Sequence, residues 1–281
     1  MKTYLDCYPC LVRQAVDALH AVGVAESLQK TILKDALQVL INASPSSKPP
    51  ELSESIQHII RQHLNNPDPY QSLKARSTQE ALLLLPWLQE KINKSSNPLE
   101  MAIRLSAAGN IIDFGAASTY NLQSTIEEVI HAQFAIFDLP AFQQALAKAD
   151  SVLYLADNAG ETVFDRLLIQ QMQKPTFYVV RSSPVLNDAI REDALSAGVE
   201  TVATILESGS GTPGINLEGS SPQFRQLFAS ARLIISKGQG NYEMLNEEMA
   251  PIFFLLKVKC QIVAADIVAP MGSFILKQAN P

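Results

Sequence analysis

The sequence predicts an α/β protein in which a helical N-terminal domain precedes a Rossmann-like, mostly parallel sheet with helices on both faces. Residues 1–97 carry apolar side chains at helical spacings of three and four and show no strand-like alternation. Residues 98–281 instead alternate short apolar runs with helical patterns, which is typical of parallel strands joined by right-handed crossovers. These runs are continuously apolar, as expected for strands covered on both faces. We therefore place a domain boundary between residues 97 and 98.

The N-terminal domain is predicted to consist of helices separated by turn-rich segments. Apolar residues recur at helical spacing across residues 11–40, and a serine- and proline-rich turn ends that unit. A second helix is expected over residues 53–64. A third is expected over residues 70–93, interrupted or ended near Pro86. Pro98 then opens another helix.

The C-terminal domain is predicted to contain five strands. They are the short apolar runs at residues 151–156, 176–180, 201–206, 233–235 and 252–256. Helical patterns separate them, notably over residues 162–173 and 188–197.

The bulk composition limits the classes of partner. The formal net charge is -6 and no run of clustered Lys and Arg is present, so a nucleic-acid surface is not expected. No apolar run approaches the roughly 18 residues of a membrane-spanning helix. The start of the chain lacks the apolar stretch of a secretory signal. With only three cysteines, these features predict a cytoplasmic protein with no membrane partner.

Each predicted strand is followed by polar, charged or glycine-rich residues. The first strand precedes the string DNAGE at residues 157–161, and the second precedes Arg181 and a loop that reaches Asp188. A glycine-rich loop follows the third strand, and Lys237 and Lys257 follow the fourth and fifth. Open parallel sheets bind ligands beyond the carboxyl ends of their strands, so these residues are expected to gather at one edge.

The residue types at this edge suit a divalent cation and a phosphate group. Asp157, Asn158 and Asp188 would supply the partial shell of oxygen ligands that Mg²⁺ or Mn²⁺ takes in proteins. Lys237 would neutralise a phosphoryl oxygen as a point charge. Phosphoryl transfer depends mainly on positioning and charge neutralisation, so this set is sufficient in kind for that chemistry.

Each of these residues also has a structural interpretation. Asp157 and Asn158 equally suit an Asx-turn or a helix cap. Asn187 and Asp188 suit the N-cap and first turn of a helix, which taken alone is the better interpretation of that pair. Lys237, which precedes a glycine, is also typical of a solvated loop.

The sequence does not decide the roles of two shorter motifs. Asn110 and Asp113 lie three residues apart on one face of a predicted helix, where they are also compatible with an ordinary surface. Cys7 and Cys10 form a CxxC motif, and Cys260 is the one remaining cysteine, so a four-cysteine zinc site is excluded. Structural burial is the favoured interpretation of the CxxC motif, with a redox or metal role as the alternative.

Taken together and in order, six strings resemble the damage-control phosphatase family, formerly a domain of unknown function with an ARMT1-like metal-binding domain. They are DCYPC at 6–10, GNIIDFG at 109–115, DNAGE at 157–161, NDA at 187–189, KGQGNYE at 237–243 and LKVKC at 256–260. Each string alone is weak, but the six span nearly the whole chain. The N-terminal cysteines resemble the prokaryotic, CxxC-containing branch.

The resemblance implies hydrolysis of small phosphate esters, including sugar phosphates and phosphopantetheine derivatives, with a divalent ion such as Mg²⁺, Mn²⁺, Co²⁺ or Ni²⁺. It assigns the metal to Asp157, Asn158 and Asp188, and a phosphate-side lysine to Lys237. A departure from the family pattern is the string RSSP at residues 181–184, where small residues, often glycine, are expected before the proline.

Four further residues on these strings are expected to bind substrate: Asn110, Asp113, Glu161 and Lys257. The main alternative function is a Rossmann-like module that binds a phosphometabolite or nucleotide without turnover. Metal-dependent release of phosphate from small esters separates the two. A methyltransferase would instead require a glycine-rich turn after the first strand, whereas the turn here begins with Asp157 and has one glycine.

Overall fold

A computed structural model describes residues 1–110 and 119–279, so Asp113 lies outside the described residues. The part before the sheet is helical. Its described helices are α1 (Cys7–Ala21), α2 (Glu26–Ile41), α3 (Pro49–Leu64), α4 (Gln71–Lys94), α5 (Pro98–Gly109) and α6 (Thr119–His131). Within the two described ranges, no helix combines the length and the apolar character that crossing a bilayer requires.

Strands and helices alternate in the rest of the chain. The strands are β1 (Ile136–Phe137), β2 (Val152–Leu155), β3 (Thr176–Val180), β4 (Thr204–Glu207), β5 (Ile234–Lys237), β6 (Ile252–Lys257) and β7 (Phe274–Gln278). The helices among them are α7 (Leu139–Lys148), α8 (Thr162–Met172), α9 (Arg191–Ser196), α10 (Pro222–Ser230), α11 (Gly238–Leu245) and α12 (Gln261–Ile267).

The strands form one sheet in the order β1-β7-β6-β5-β2-β3-β4. The strands from β6 to β4 in this order run parallel, whereas β7 runs antiparallel to β6. The chain moves outward from β2 through β3 to β4 and then returns to place β5 on the other side of β2. The carboxyl ends of β2 and β5 therefore form the topological switch point, where open α/β sheets bind their ligands.

Helices cover both faces of the sheet because successive strand residues point to opposite sides. Tyr154 of β2 packs on the side that carries α4 to α8, where Leu84 and Phe164 are buried. Leu155 packs on the other side with buried residues of α10 to α12, such as Leu245. The predicted mostly parallel α/β sheet with helices on both faces is confirmed.

The N-terminal helices contribute to two different cores. The helices α1, α2 and α3 bury apolar residues such as Leu19 and Ile56 against one another. The helix α4 instead buries Leu84 and Leu88 in the core beside the sheet. The core of α1, α2 and α3 also includes Val185 and Leu186 from the segment before α9. These helices therefore pack onto the α/β part, and the boundary suggested at residue 97 stays a prediction.

The helix α4 continues through Pro86, which corrects the expectation that it is interrupted or ends there. Pro86 is exposed, so its ring meets solvent. The buried stripe of this helix runs past it, from Leu84 to Leu88 and Ile92. Burial of that stripe offsets the loss of about 3 kcal/mol that an interior proline causes.

The apolar runs locate β2, β3, β5 and β6 closely and place the start of β4 three residues too early. The strands β1 and β7 are absent from the prediction. The strand β1 has 2 residues, and β7 ends in the polar residues Lys277 and Gln278. The strand β1 is too short to be recognised in this way. The apolar run of β7 at residues 274–276 is as long as the predicted run at residues 233–235, so its length does not explain why β7 is absent from the prediction.

A buried ion-pair cluster joins the start of α4 to α9. Lys74 is buried, and its Nζ lies 2.9 Å from a carboxylate oxygen of Asp68 and 2.9 Å from one of Asp193. Burial raises the pKa of Asp193, and Lys74 opposes that rise. The lysine is therefore needed to neutralise both acids.

We expect Lys74→Met to lower the free energy of unfolding by about 3 kcal/mol, because two partly buried carboxylates lose their counter-charge. Urea denaturation followed by circular dichroism measures the change. Lys30→Met is the matched control, since its pair with Glu26 is exposed and such pairs contribute about 0.5 kcal/mol. A loss below about 1 kcal/mol in Lys74→Met would contradict this role of the cluster.

A second stability prediction concerns Glu243 on α11, because burial raises its pKa from 4.5 to about 7. The folded state then binds a proton that the unfolded chain has released, so the contribution of Glu243 to stability falls as pH rises through this interval. Glu243→Gln should exceed the wild type in stability at about pH 8 by roughly 1–3 kcal/mol, and match it at about pH 4. Urea titrations at both pH values measure the difference, and parallel pH profiles would refute the buried, protonated acid.

Candidate active site

Asp157, Asn158 and Asp188 lie together at the carboxyl end of β2. Asp157 and Asn158 follow β2 closely, and Asp188 lies in the segment between β3 and α9. Asn158 and Asp188 form an isolated antiparallel β-bridge. Beside it, the Ala189 N–H donates to the Asp157 carbonyl at 2.8 Å. The backbone thus holds the two segments side by side.

The Asp157 carboxylate is buried among amides and other acids. Its Oδ2 accepts hydrogen bonds from the Asn110 amide at 3.0 Å and from the Asn158 amide at 3.3 Å. Burial raises the pKa of Asp157 well above its ordinary value, and the nearby Glu161 and Asp188 carboxylates raise it further. A positive charge bound here would oppose that effect.

Arg181 and Asn241 hold Asp188 in place. Arg181 Nε donates to Asp188 Oδ2 at 2.7 Å, and Arg181 Nη2 donates to Asn241 Oδ1 at 3.3 Å. Burial raises the pKa of Asp188, although Arg181 opposes the rise. The Asn241 amide in turn donates to the carbonyls of Ala156 and Lys237, which joins the ends of β2 and β5. The remaining guanidinium nitrogen, Arg181 Nη1, is buried and has no partner in the described part of the chain.

Lys237 ends β5 and is fully buried, so it is not the solvated loop lysine of the structural interpretation. Its ammonium donates to Asp165 Oδ1 at 2.7 Å, to Glu161 Oε2 at 2.9 Å and to the Ser106 carbonyl at 3.0 Å. Burial alone would lower the pKa of Lys237, but the two carboxylates outweigh burial and raise it. All three N–H groups of the ammonium are occupied, so the expected contact with a phosphoryl oxygen would break one of these bonds.

Gly238 lets the start of α11 approach Asp157. Its φ is +79°, and a Cβ at this position would lie 1.9 Å from Asp157 Oδ2. Glycine adopts this backbone conformation without the steric cost of a side chain. A larger residue would therefore displace the carboxylate.

The interpretation of Asn187 and Asp188 as the N-cap and first turn of a helix is wrong, and so is the capping interpretation of Asn158. The helix α9 begins at Arg191 with Ile190 as its N-cap, so Asp188 precedes the helix. The helix expected over residues 188–197 is shortened because Asp188 pairs with Asn158 instead. Asn158 precedes a short 3-10 turn without making a side-chain cap hydrogen bond.

Contacts with the buried acids at the end of β2 are present for two of the predicted substrate residues. Asn110 and Glu161 contact the central acid cluster. Lys257, at the end of β6, places its Nζ 5.6 Å from the centroid of the Phe274 ring. Lys259, which the sequence analysis does not single out, is exposed. The positive charge of Lys259 lowers the pKa of Asp157, whereas burial and the neighbouring acids raise it.

Three residues of the site have no role in the sequence analysis: Arg181, Asn241 and Asp165. Arg181 directly follows β3. A position soon after a strand is also the feature by which the other site residues are predicted. Asp165 lies four residues after Glu161, a spacing that places two side chains on one helical face. Asn241 lies in the string KGQGNYE that follows the fourth predicted strand, but its bridging of two strand ends is not evident from that position.

The buried charges at this edge do not balance. Four carboxylates face two cations, namely Asp157, Glu161, Asp165 and Asp188 against Lys237 and Arg181. The excess of two negative charges equals the charge of one divalent ion. The Asn110 Oδ1 atom is also buried without a hydrogen-bond partner among the described residues. Carboxylate and amide oxygens are the donors that a hard cation takes, so these residues fit such an ion.

Asparagine oxygens are needed to complete that donor set. Over residues 1–110 and 119–279, no group of three or more His, Cys, Asp and Glu side chains is placed as a metal site. The amides of Asn110 and Asn158 lie beside Asp157 with their nitrogens hydrogen-bonded to its Oδ2, and they carry further side-chain oxygens in this part of the site. A site built from two carboxylates and an amide suits Mg²⁺ or Mn²⁺ better than zinc.

The three cysteines lie at the starts of helices. Cys7 and Cys10 lie at the start of α1, and Cys260 is the N-cap residue of α12. All three are free. Cys10 is exposed and Cys7 is partly buried, so the expected structural burial of the CxxC motif is wrong for Cys10. The buried part of each thiol's surroundings raises the pKa of Cys7 and of Cys10.

Known proteins resemble the chain over its whole length. The model of the damage-control phosphatase ARMT1-like domain matches residues 3–274. A damage-control phosphatase of Archaeoglobus fulgidus is 31% identical over 99% of each chain. An uncharacterised protein of Methanocaldococcus jannaschii is 35% identical over 98% of this chain and 95% of its own. The crystal structure of a DUF89 family protein from Pyrococcus horikoshii has a TM-score of 0.93 at 28% identity and covers 100% of both chains. The chain therefore belongs to the damage-control phosphatase ARMT1-like domain family.

Proposed function

We propose that the protein is a divalent-metal-dependent phosphatase that hydrolyses small phosphorylated metabolites, such as sugar phosphates or phosphopantetheine-like esters, in metabolite damage control. The observation that carries the proposal is the buried meeting of Asp157, Asn158 and Asp188 at the switch point of the sheet. A relative from Pyrococcus horikoshii, 28% identical over 98% of this chain, is also named a damage-control phosphatase. Family and site chemistry thus support the same function.

Asp157, Asn158 and Asp188 are the residues proposed to hold the cation. Mg²⁺ and Mn²⁺ prefer such oxygen donors, and Co²⁺ and Ni²⁺ accept them. When bound, a divalent ion supplies charge neutralisation at a phosphate group. The chain itself keeps the two carboxylates and the amide at one point through the β-bridge and through the Arg181 contact with Asp188.

Positive side chains near the acids are proposed to receive the phosphate. Arg181 Nη1 is a buried donor with no partner among the described residues. Lys259 is exposed and acts electrostatically on Asp157. Lys257, which lies two residues before Lys259 at the end of β6, remains a predicted substrate residue. Together these cations would orient an anionic ester toward the cation site.

The alternative is a module that binds a phosphometabolite or nucleotide without turnover. A screen of small phosphate esters with Mg²⁺, Mn²⁺, Co²⁺, Ni²⁺ or EDTA separates the two functions. We expect release of inorganic phosphate with at least one ion and none in EDTA. Binding of esters without release in any ion would identify the binding module instead.

Asp157→Asn is expected to reduce ion-dependent phosphate release at least about 100-fold, because a proposed metal ligand is lost. The metal-free variant should nevertheless melt at or above the wild-type temperature. The substitution replaces a carboxyl group whose ionised form is disfavoured by burial and by two neighbouring acids. Phosphate release and thermal melts in EDTA measure the two effects.

Glu200→Gln is the matched control for this variant, since it removes an exposed acid. It should retain full activity. Normal turnover by Asp157→Asn would exclude Asp157 from the site. A strong loss of stability in metal-free Asp157→Asn would contradict the conclusion that neighbouring like charges destabilise the ionised Asp157.

A further inference from the structure

We propose that Glu161 is a positioning residue that aims the amide oxygens of Asn110 and Asn158 at the cation site, and that Lys237 is its counter-ion rather than a ligand of phosphate. This inference rests on the proposed metal-dependent function and refines it. It gives new roles to two residues that the sequence analysis places in contact with substrate.

Glu161 fixes which end of each amide is free. Its Oε1 accepts a hydrogen bond from Asn110 Nδ2 at 2.5 Å and another from Asn158 Nδ2 at 2.7 Å. A carboxylate only accepts hydrogen bonds, so the reverse orientation of either amide would set two oxygens against each other. With its nitrogen held by Glu161, each amide directs its oxygen away from this carboxylate.

The freed oxygens are the ligand-competent ends of these side chains. Asn110 Oδ1 is buried and has no hydrogen-bond partner in the part of the chain that the structure describes. Both amide nitrogens also lie against Asp157 Oδ2, at 3.0 Å and 3.3 Å. A hard cation binds amide oxygen rather than amide nitrogen, so Glu161 selects the orientation that metal binding needs.

Lys237 holds Glu161 and has no donor left for a phosphate. Its ammonium lies 2.9 Å from Glu161 Oε2, with both side chains at most 1% exposed. The other two hydrogens are directed at Asp165 Oδ1 and the Ser106 carbonyl. The lysine therefore neutralises and fixes the glutamate from inside the protein.

Asp165 provides a built-in comparison. Like Glu161, it is a fully buried partner of Lys237. Its other hydrogen bonds come from three hydroxyl groups, those of Ser106, Tyr154 and Tyr178. The two acids thus share the lysine, but Glu161 is the one that contacts the amides.

The test compares Glu161→Gln with Asp165→Asn, each of which removes one carboxylate from Lys237 at almost constant size. In Glu161→Gln, the introduced NH₂ must face either the ammonium or the asparagine N–H groups, so a donor–donor contact replaces a hydrogen bond. In Asp165→Asn, the introduced NH₂ can face a tyrosine hydroxyl, which accepts as well as donates.

Mn²⁺ affinity is measured by electron paramagnetic resonance on phosphate-free protein, so the result does not depend on turnover. Glu161→Gln should weaken Mn²⁺ binding at least about tenfold, the usual effect of losing a residue that orients a metal ligand, and Asp165→Asn less than about threefold. At saturating Mn²⁺, the KM of Glu161→Gln for an ester should stay within about threefold of the wild type, since Glu161 does not contact substrate.

The double variant Glu161→Gln/Lys237→Met should restore Mn²⁺ binding to within about threefold of the wild type. Without the ammonium, the introduced glutamine can turn its oxygen to both asparagine amides. Its NH₂ can then donate to Asp165 Oδ1 or to the Ser106 carbonyl, both of which accept from the Lys237 ammonium in the wild type. A phosphate-binding Lys237 would instead raise the KM of this variant, whatever its Mn²⁺ affinity.

Melting in EDTA shows whether each variant folds. If Glu161→Gln does not fold, the double variant still tests the inference, because it keeps the net charge of the cluster. Unchanged Mn²⁺ affinity in Glu161→Gln, or equal losses in both single variants, overturns the inference and leaves the proposed function standing. A failure of the double variant to recover Mn²⁺ binding also overturns it. Absence of Mn²⁺ binding by the wild type overturns the proposed function and this inference together.

Discussion

The carboxyl end of β2 holds more buried negative charge than the protein neutralises, and the rest of the site follows from that imbalance. Asp157 and Asp188 are each at most 8% exposed and lie close enough to raise the pKa of Asp157. A buried charge without a partner is costly, so the metal-free protein favours the protonated form of Asp157. A divalent cation at the proposed site would remove the same imbalance by binding the ionised acids. Binding and local stability are therefore linked.

The fold produces this crowding through backbone geometry. Parallel strands on both sides of β2 bring three chain segments to one edge, and the β-bridge between Asn158 and Asp188 fixes their spacing. Gly238 removes the side chain that would otherwise occupy the space of the Asp157 carboxylate. Lys237 then balances the deeper acids, Glu161 and Asp165. The acids nearest the edge of the sheet, Asp157 and Asp188, are thus left for the proposed cation.

Sequence patterns predict which residues lie at the edge of the sheet better than they predict the hydrogen-bond partners of the buried site residues. Asp157, Asn158 and Asp188 follow predicted parallel strands, and strand exits of one sheet necessarily meet. The partners of Lys237 depend on how α5 and α8 pack against β5, which no local pattern encodes. The same holds for Pro86, whose exposed position within α4 becomes evident from tertiary packing alone. Asp113, the domain boundary at residue 97 and the CxxC-containing branch stay predictions.

The most direct test of the account is an anomalous difference map from crystals soaked in Mn²⁺. The account predicts a single strong peak bounded by side-chain oxygens of Asp157, Asn158 and Asp188, and no such peak in crystals of Asp157→Asn treated in the same way. A map without a peak at this edge of the sheet, or with Mn²⁺ bound only elsewhere, would contradict it.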